Sequence, residues 1–224
     1  QGQWQNLHGL RFTYPYIDFI RQERFEALDE LKNLPVIVNS INSTPLVAAL
    51  QLNEYIFKNF SYNSAVTDVE TTIDQVWKLK AGVCQDFAHV LLVMLHMIDI
   101  PARYVSGYVC PNKNGMRGEG ATHAWVEAYI PFYGWLGLDP TNNCMVNDLH
   151  VRLAIGRSFS DVSPVKGTYK GTSNHTLEVG VTISYEDGSV TEEQPAVLVQ
   201  QPGKNNPTPG SNSYRRHLEM MQQQ

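Results

Sequence analysis

The chain has 224 residues, of which 42% are hydrophobic and 17% charged, so it can bury a sizeable core and is not globally disordered. Its formal net charge is −5 and it has no long basic stretch, which argues against nucleic acid as a partner. No apolar run reaches the roughly 20 residues of a membrane-spanning helix, so we expect no membrane partner either. No signal peptide is visible, which favours a cytoplasmic location, although a chain starting at Gln1 need not begin at its natural N-terminus.

Four helices are predicted in the first hundred residues. Apolar spacing predicts the first over 16–34, and hydroxyl caps predict the next two over 43–59 and 71–80. The fourth covers 84–98 and is apolar nearly all round, so we expect it to be buried on most sides. Its first residue, Cys84, would then project from the centre of the molecule.

The second half of the chain is predicted to be a β-sheet. Pro101 ends the helical part, and a glycine-rich stretch over 111–120 is predicted to be a loop. An E-D-G turn at 186–188 is typical of a hairpin. Helices followed by antiparallel strands indicate an α+β fold. The strands are predicted at 103–110, 123–130, 135–139, 151–155, 176–185 and 189–199.

Three short segments carry residues that suit nucleophilic catalysis: A-G-V-C-Q-D-F-A at 81–88, T-H-A-W-V-E at 122–127 and G-L-D-P-T at 137–141. A helix N-terminus favours the thiolate form of a cysteine, and Cys84 lies where a helix should start, after a glycine that permits a tight turn. The imidazole of His123 can pair with that thiolate and protonate a leaving amine. Asp139 ends the next strand, where it can fix the orientation of the imidazole.

The three segments, in this order and spacing, resemble the core of the transglutaminase-like superfamily, which is related to papain. The stretch I-P-A-R-Y-V-S-G-Y at 100–108 resembles a second run of that family, and 156–167 resembles a G-R-D-Y-x-D-V-x-P stretch of its bacterial members, with Ser158 in place of the aspartate. The resemblance implies that the cysteine opens a buried central helix packed on an antiparallel sheet, with the histidine and aspartate on neighbouring strands.

The resemblance also implies a division of the chain. Residues 16–200 would form the catalytic domain, 1–15 an N-terminal remnant, and 201–224 a polar tail rich in glycine, proline and glutamine. Bacterial members often carry an N-terminal β-domain, and here at most the remnant corresponds to it.

The implied activity is acyl transfer on amide or peptide bonds through a thioester on Cys84, with His123 and Asp139 completing a triad. No cofactor or metal is required, and the substrate would be a peptide or a protein. Hydrolysis is favoured, and transfer to an amine, as in a protein-glutamine transglutaminase, is the alternative. The backbone N–H of Cys84 would be one oxyanion donor, with Tyr62 as a guess for the second.

Non-catalytic roles for the fold and for these residues remain open. The same fold could serve as a non-catalytic binding module, and a lone cysteine is more often a buried hydrophobe than a nucleophile. Trp125 would be either core or a wall beside the thiolate, and Glu127 a structural partner. The loop 111–120 is predicted to border the substrate cleft as a lid. Several other side chains are expected to be structural or inert: His89, His96, Cys110 and Cys144.

Overall fold

The computed structural model describes residues 2–67, 71–110, 116–117 and 122–163. The described helices are α1 (Gly2–Leu10), α2 (Leu28–Lys32), α3 (Pro35–Val38), α4 (Pro45–Asn59), α5 (Ile73–Leu79) and α6 (Cys84–Met97), with 3₁₀ turns at Tyr16–Phe19, Ser40–Asn42 and Phe159–Asp161. The described strands are β1 (Ser61–Tyr62), β2 (Ala81–Gly82), β3 (Ala102–Val109), β4 (Thr122–Ile130), β5 (Gly134–Asp139), β6 (Cys144–Met145) and β7 (His150–Gly156).

Helix α6 is the centre of the fold. From Phe87 to His96 all its residues except His89 are buried, as the apolar pattern predicts. One side packs on β3 and β4, and the other contacts α4 and α5. The predicted buried helix that begins at Cys84 is therefore confirmed, and so is the α+β fold.

The sheet has five antiparallel strands in the order β6-β5-β4-β3-β7. Alternate residues of β4, such as Ala124 and Val126, lie in the core that contains α6. Val126 pairs with Leu138 of β5, which brings Asp139 to the end of β4 where His123 lies. Because β4 begins at this end and β5 finishes there, the sheet gathers both side chains beside the N-terminus of α6.

Helices α4 and α5 begin at the predicted caps. The hydroxyl of Thr44 accepts the N–H of Val47, and Thr72 forms a reciprocal capping box with Gln75. Leu46 lies on the outer side of α4 and is 39% exposed. The inner face of α4 carries Ala48 and Ala49, whose small side chains let α4 approach α6 closely, and the buried Leu52 lies beyond them.

The single helix predicted over 16–34 is wrong. The segment contains a 3₁₀ turn and the short α2, with no helix between them. Contacts with α5 override the local pattern here. The ring of Phe25 is buried against Trp77, with ring centroids 5.8 Å apart, and the N–H of Glu26 donates to the carboxylate of Asp74 at 2.8 Å.

Helix α1 joins the same core. Leu7 is fully buried, and the indole of Trp4 donates to the carbonyl of Ser43 at 2.8 Å. The proposed division of the chain at residues 16 and 200 stays a prediction. The strands expected at 176–185 and 189–199 and the polar tail lie outside the described residues. Among the helices of the described ranges, none combines the length and the apolar character that crossing a membrane requires.

Candidate active site

The thiol of Cys84 lies at the junction of helix and sheet. Cys84 is the first residue of α6, and its side chain is largely buried. Its sulfur approaches the carbonyl oxygen of Thr122 at 4.0 Å, which places it beside the start of β4. The sequence therefore brings the cysteine to the residue that precedes His123.

The N-terminus of α6 is held by its own third residue. The carboxylate of Asp86 accepts the N–H of Val83 at 2.8 Å and the hydroxyl of Thr67 at 2.7 Å. Asp86 thus binds a backbone donor at the start of the helix rather than pointing to solvent. Gly82 has a different role from the one expected, since its φ is not positive. A Cβ at this position would lie 2.5 Å from an Asp86 carboxylate oxygen, so glycine is needed for space.

His123 and Asp139 are joined by a short buried hydrogen bond. The Nε2 atom of His123 lies 2.8 Å from Oδ2 of Asp139, and both side chains are fully buried. Burial by itself would lower the pKa of His123, but hydrogen bonds and charge from Asp139 and Cys84 outweigh it and raise the pKa to about 10. The ring is thereby stabilised as an imidazolium.

The other ring nitrogen of His123, Nδ1, is the one available to Cys84. It is buried and makes no hydrogen bond within ordinary distance to the described residues. Cys84 nevertheless lies close enough to contribute to the raised pKa. Loose contacts of this kind are common in unliganded active sites and tighten when substrate binds.

The carboxylate of Asp139 accepts five hydrogen bonds. Oδ1 accepts the backbone N–H groups of Thr141 at 2.9 Å and Asn142 at 3.2 Å. Oδ2 lies 2.8 Å from His123, 2.7 Å from the side-chain amide of Asn142 and 3.3 Å from Nε2 of His150. Burial would raise the pKa of Asp139, but the bonds from His123 and His150 outweigh it and hold the pKa below its ordinary value. Asp139 is therefore kept as a carboxylate.

His150 and Asn142 were missed by the sequence analysis. Asn142 follows the D-P-T segment directly, so the turn after Asp139 was the signal that could have identified it. His150 opens β7, and β7 begins at the same end of the sheet at which β4 begins and β5 finishes. A polar residue at that end was the available signal for His150.

Glu127 and Trp125 are structural neighbours of the site. Glu127 accepts two hydrogen bonds from the directly opposite Arg103, one of them at 2.6 Å, and another from Arg152 at 2.9 Å. Its predicted role as a structural partner is confirmed. Trp125 is fully buried, with its ring centroid 6.3 Å from that of His123 and 5.3 Å from that of His150.

The side chains of two other histidines and the two other cysteines make no hydrogen bond to this cluster in the described part of the chain: His89, His96, Cys110 and Cys144. His89 accepts the N–H of Phe159 at 3.2 Å, and burial lowers its pKa to about 4. His96 contacts the carbonyl of Ala102 at 3.1 Å. Burial raises the pKa of Cys110, and burial with the charge of Asp139 raises that of Cys144 to about 11. These environments fit the inert roles expected for all four residues.

The loop predicted over 111–120 lies outside the described residues except for Met116 and Arg117. The side-chain amide of Asn142 binds both backbone groups of Arg117. Its oxygen accepts the N–H at 2.7 Å, and its nitrogen donates to the carbonyl at 3.1 Å. The guanidinium of Arg117 lies 5.1 Å from the ring centroid of Phe57 and 5.9 Å from that of Tyr62. The same Asn142 contacts Asp139, so this part of the loop borders the site, while its role as a lid stays a prediction.

A metal could use three groups of this cluster. Ligand atoms of His123, Asp139 and His150 lie within 4.8 Å of one another. Both imidazole Nε2 atoms, however, lie at hydrogen-bonding distance from the same carboxylate oxygen. Protons shared with Asp139 account for this spacing, and the expectation that no metal is required stays a prediction.

Comparison with known proteins assigns part of the chain to a known superfamily model. Residues 36–140 match the sequence model of the transglutaminase-like superfamily, and this range contains Cys84, His123 and Asp139. The matched segment is a transglutaminase-like domain. The resemblance found in the three sequence segments is confirmed.

Individual relatives agree with this family. An uncharacterized protein of Mycobacterium tuberculosis is 37% identical over 149 residues, covering 62% of this chain and 48% of the relative. A protein-glutamine gamma-glutamyltransferase of Pseudomonas aeruginosa is 33% identical over 103 residues, covering 43% of this chain and 15% of that protein. The chain spans about half the length of the mycobacterial relatives that it matches.

A solved structure supports the fold independently. The crystal structure of a candidate cysteine protease from Cytophaga hutchinsonii superposes with a TM-score of 0.58 and 27% sequence identity. It covers 69% of this chain, and the match covers 51% of that protein. The transglutaminase-like domain therefore has the papain-related architecture that its sequence predicts.

Proposed function

We propose that this transglutaminase-like domain transfers acyl groups from amide or peptide bonds through a thioester on Cys84, and that water is its main acceptor. The observation that carries the proposal is the buried 2.8 Å bond between His123 and Asp139, beside a cysteine at the N-terminus of the central helix. An imidazolium stabilised by Asp139 can hold a neighbouring thiolate as an ion pair.

In the first half-reaction the thiolate of Cys84 attacks the carbonyl carbon of the substrate. The tetrahedral oxyanion would be stabilised by the backbone N–H of Cys84 at the helix start. Tyr62 of β1 is proposed as the second donor. Burial and then the charge of Cys84 raise the pKa of Tyr62, so its phenol keeps the proton that it would donate. His123 then protonates the departing amine, and the C–N bond breaks to leave a thioester.

In the second half-reaction His123 removes a proton from the acceptor, which attacks the thioester and releases Cys84. If the acceptor is water, the domain is a protease or an amidase, and if it is an amine, the domain is a transglutaminase. The described part of the site holds no feature that selects an amine, and hydrolysis remains the favoured outcome. A non-catalytic binding module is the third possibility, and the presence of Cys84, His123 and Asp139 together argues against it.

Selective alkylation tests the nucleophile. A brief treatment with iodoacetamide at neutral pH, followed by mass mapping, should label Cys84 much faster than Cys110 or Cys144. The two other cysteines serve as internal controls, because burial raises the pKa of each. Equal labelling of the three cysteines, or none at Cys84, would contradict a poised thiolate and the enzyme proposal with it.

A peptide library incubated with and without a primary amine tests the reaction. Hydrolysis predicts release of carboxylate products in both mixtures, whereas transamidation predicts incorporation of the amine. A Cys84→Ala variant should abolish both, and Cys144→Ala should leave both unchanged. Turnover that survives in Cys84→Ala would exclude the thioester route.

A further inference from the structure

We infer that His150 is a positioning residue for the reaction, acting through Asp139 on the orientation of His123. The inference rests on the proposed function and adds a fourth member to the predicted triad. Its basis is that two imidazoles share one carboxylate oxygen: Nε2 of His123 lies 2.8 Å and Nε2 of His150 lies 3.3 Å from Oδ2 of Asp139. The side chains of all three residues are fully buried.

The neighbours of His150 determine its tautomer. The backbone N–H of Asn147 points to Nδ1 of His150 at 3.3 Å, so that nitrogen accepts. The side-chain oxygen of Asn147 also lies 3.1 Å from Nδ1. The carboxylate of Asp139, 3.3 Å from Nε2, can only accept, so Nε2 of His150 must be the donor in that contact. In the neutral ring the proton therefore resides on Nε2, where it is donated to Asp139.

Packing fixes the plane of the His150 ring. Trp125 meets it edge to face, with the centroids 5.3 Å apart and the planes at 80°. Trp125 is held in turn by Gly107, at which a Cβ would lie 2.5 Å from the indole. The ring that donates to Asp139 is thus set by the sheet itself rather than by a mobile segment.

The shared oxygen is what separates this role from a merely structural one. The bonds from Thr141 and from the backbone of Asn142 hold Oδ1, the oxygen that does not meet His123. His150 and the side-chain amide of Asn142 hold Oδ2, so a rotation of the carboxylate that weakens the bond to His123 also breaks the bond to His150. His150 thereby resists the motion that would release the catalytic imidazole.

Two substitutions distinguish the two ends of the ring. In His150→Gln the amide nitrogen takes the place of Nε2 and keeps a donor for Asp139. In His150→Asn the shorter amide reaches only the Nδ1 position, keeps the contact with Asn147 and loses the donor. His89→Gln is the matched control, because His89 is a half-buried histidine that accepts one backbone N–H and lies outside the Asp139 cluster.

The readouts are the alkylation rate of Cys84, turnover on the substrate from the library, and the melting temperature. We expect His150→Asn to slow both reactions by roughly 10- to 100-fold, the range for losing a hydrogen bond to a charged group, with a fall in kcat rather than a rise in KM. His150→Gln and the control should stay close to the wild type.

The two ways of failing are distinguishable. If Cys84 of the wild-type protein is not preferentially alkylated, the proposed function itself fails. If wild-type Cys84 reacts selectively and His150→Asn reacts as fast, or if Gln and Asn at this position lose the same rate, only the positioning role is overturned. A lower melting temperature in His150→Asn with unchanged rates would assign His150 to the fold alone.

Discussion

Replacing Asp139 by asparagine should disable the site through a clash of donors. Oδ1 of Asp139 accepts two backbone N–H groups, from Thr141 and Asn142. In Asp139→Asn the amide oxygen must stay at that position, which forces the NH₂ group into the place of Oδ2. There it meets Nε2 of His123 and Nε2 of His150, which donate to the carboxylate in the native protein. His123 would have to give up its contact or move its proton to Nδ1.

The magnitude follows from the raised pKa of His123. A rise from the ordinary 6.5 to about 10 corresponds to roughly 5 kcal/mol of preference for the imidazolium. Asp139 and Cys84 share this preference, so removing the carboxylate should cost about 2–3 kcal/mol, or about 10²-fold in rate. The wrong tautomer adds to this loss. The same change in a serine-protease triad lowers kcat roughly 10⁴-fold, and we expect a total of about 10³- to 10⁴-fold.

The assay combines the alkylation rate of Cys84 at pH 7 with turnover, and circular dichroism verifies that the variant is folded. Asp161→Asn is the control, because it removes a carboxylate paired with the exposed Arg157, which follows the end of β7 opposite to His150. An Asp139→Asn variant that is folded and keeps rates within about threefold of the wild type would refute the reasoning. Another group would then have to orient His123.

Three further predictions concern stability. Glu127→Gln should cost about 3–5 kcal/mol in urea unfolding, because it leaves the guanidinium of Arg103, whose side chain is only 13% exposed, without its charge partner. Arg152→Gln, at a side chain 54% exposed, should cost at most about 1 kcal/mol, and equal losses would contradict this. Because the pKa of His123 is raised to about 10, its stabilisation is complete below about pH 6.5 and is lost as the pH rises through 10, and a His123→Asn variant should lack that slope. Gly107→Ala should lower the melting temperature markedly, since its methyl group would lie 2.2 Å from the carbonyl oxygen of Val151; a normal melting temperature would show that β7 can shift.

The sequence was most informative where one pattern had one explanation. The stretch from 84 to 98 is apolar nearly all round, and such a pattern fits only a buried helix, which is what α6 is. The caps of α4 and α5 were readable because a hydroxyl residue at the start of an apolar pattern has few other uses. The contact between His123 and Asp139 followed from two strands joined by a tight turn.

The misses have physical causes too. The segment 16–34 has helical spacing, but its chain is held by α5 through Phe25 and Glu26, and such long-range contacts leave no local trace. His150 was overlooked because β4 and β3 lie between β5 and β7 in the sheet, so no tight turn between paired strands indicates its contact with Asp139. The roles of Cys84, His123 and Asp139 in catalysis are still predictions, for which the geometry supplies the support described above.

The space between Gly82 and Asp86 also constrains how this family of sequences can diverge. A methyl group at position 82 would lie 2.5 Å from the carboxylate that anchors the start of α6, so Gly82 cannot gain a side chain while Asp86 keeps this position. The G-x-C-x-D spacing of residues 82–86 is therefore one steric unit around the cysteine. In related chains the two flanking positions are expected to be retained or replaced together, as a linked pair.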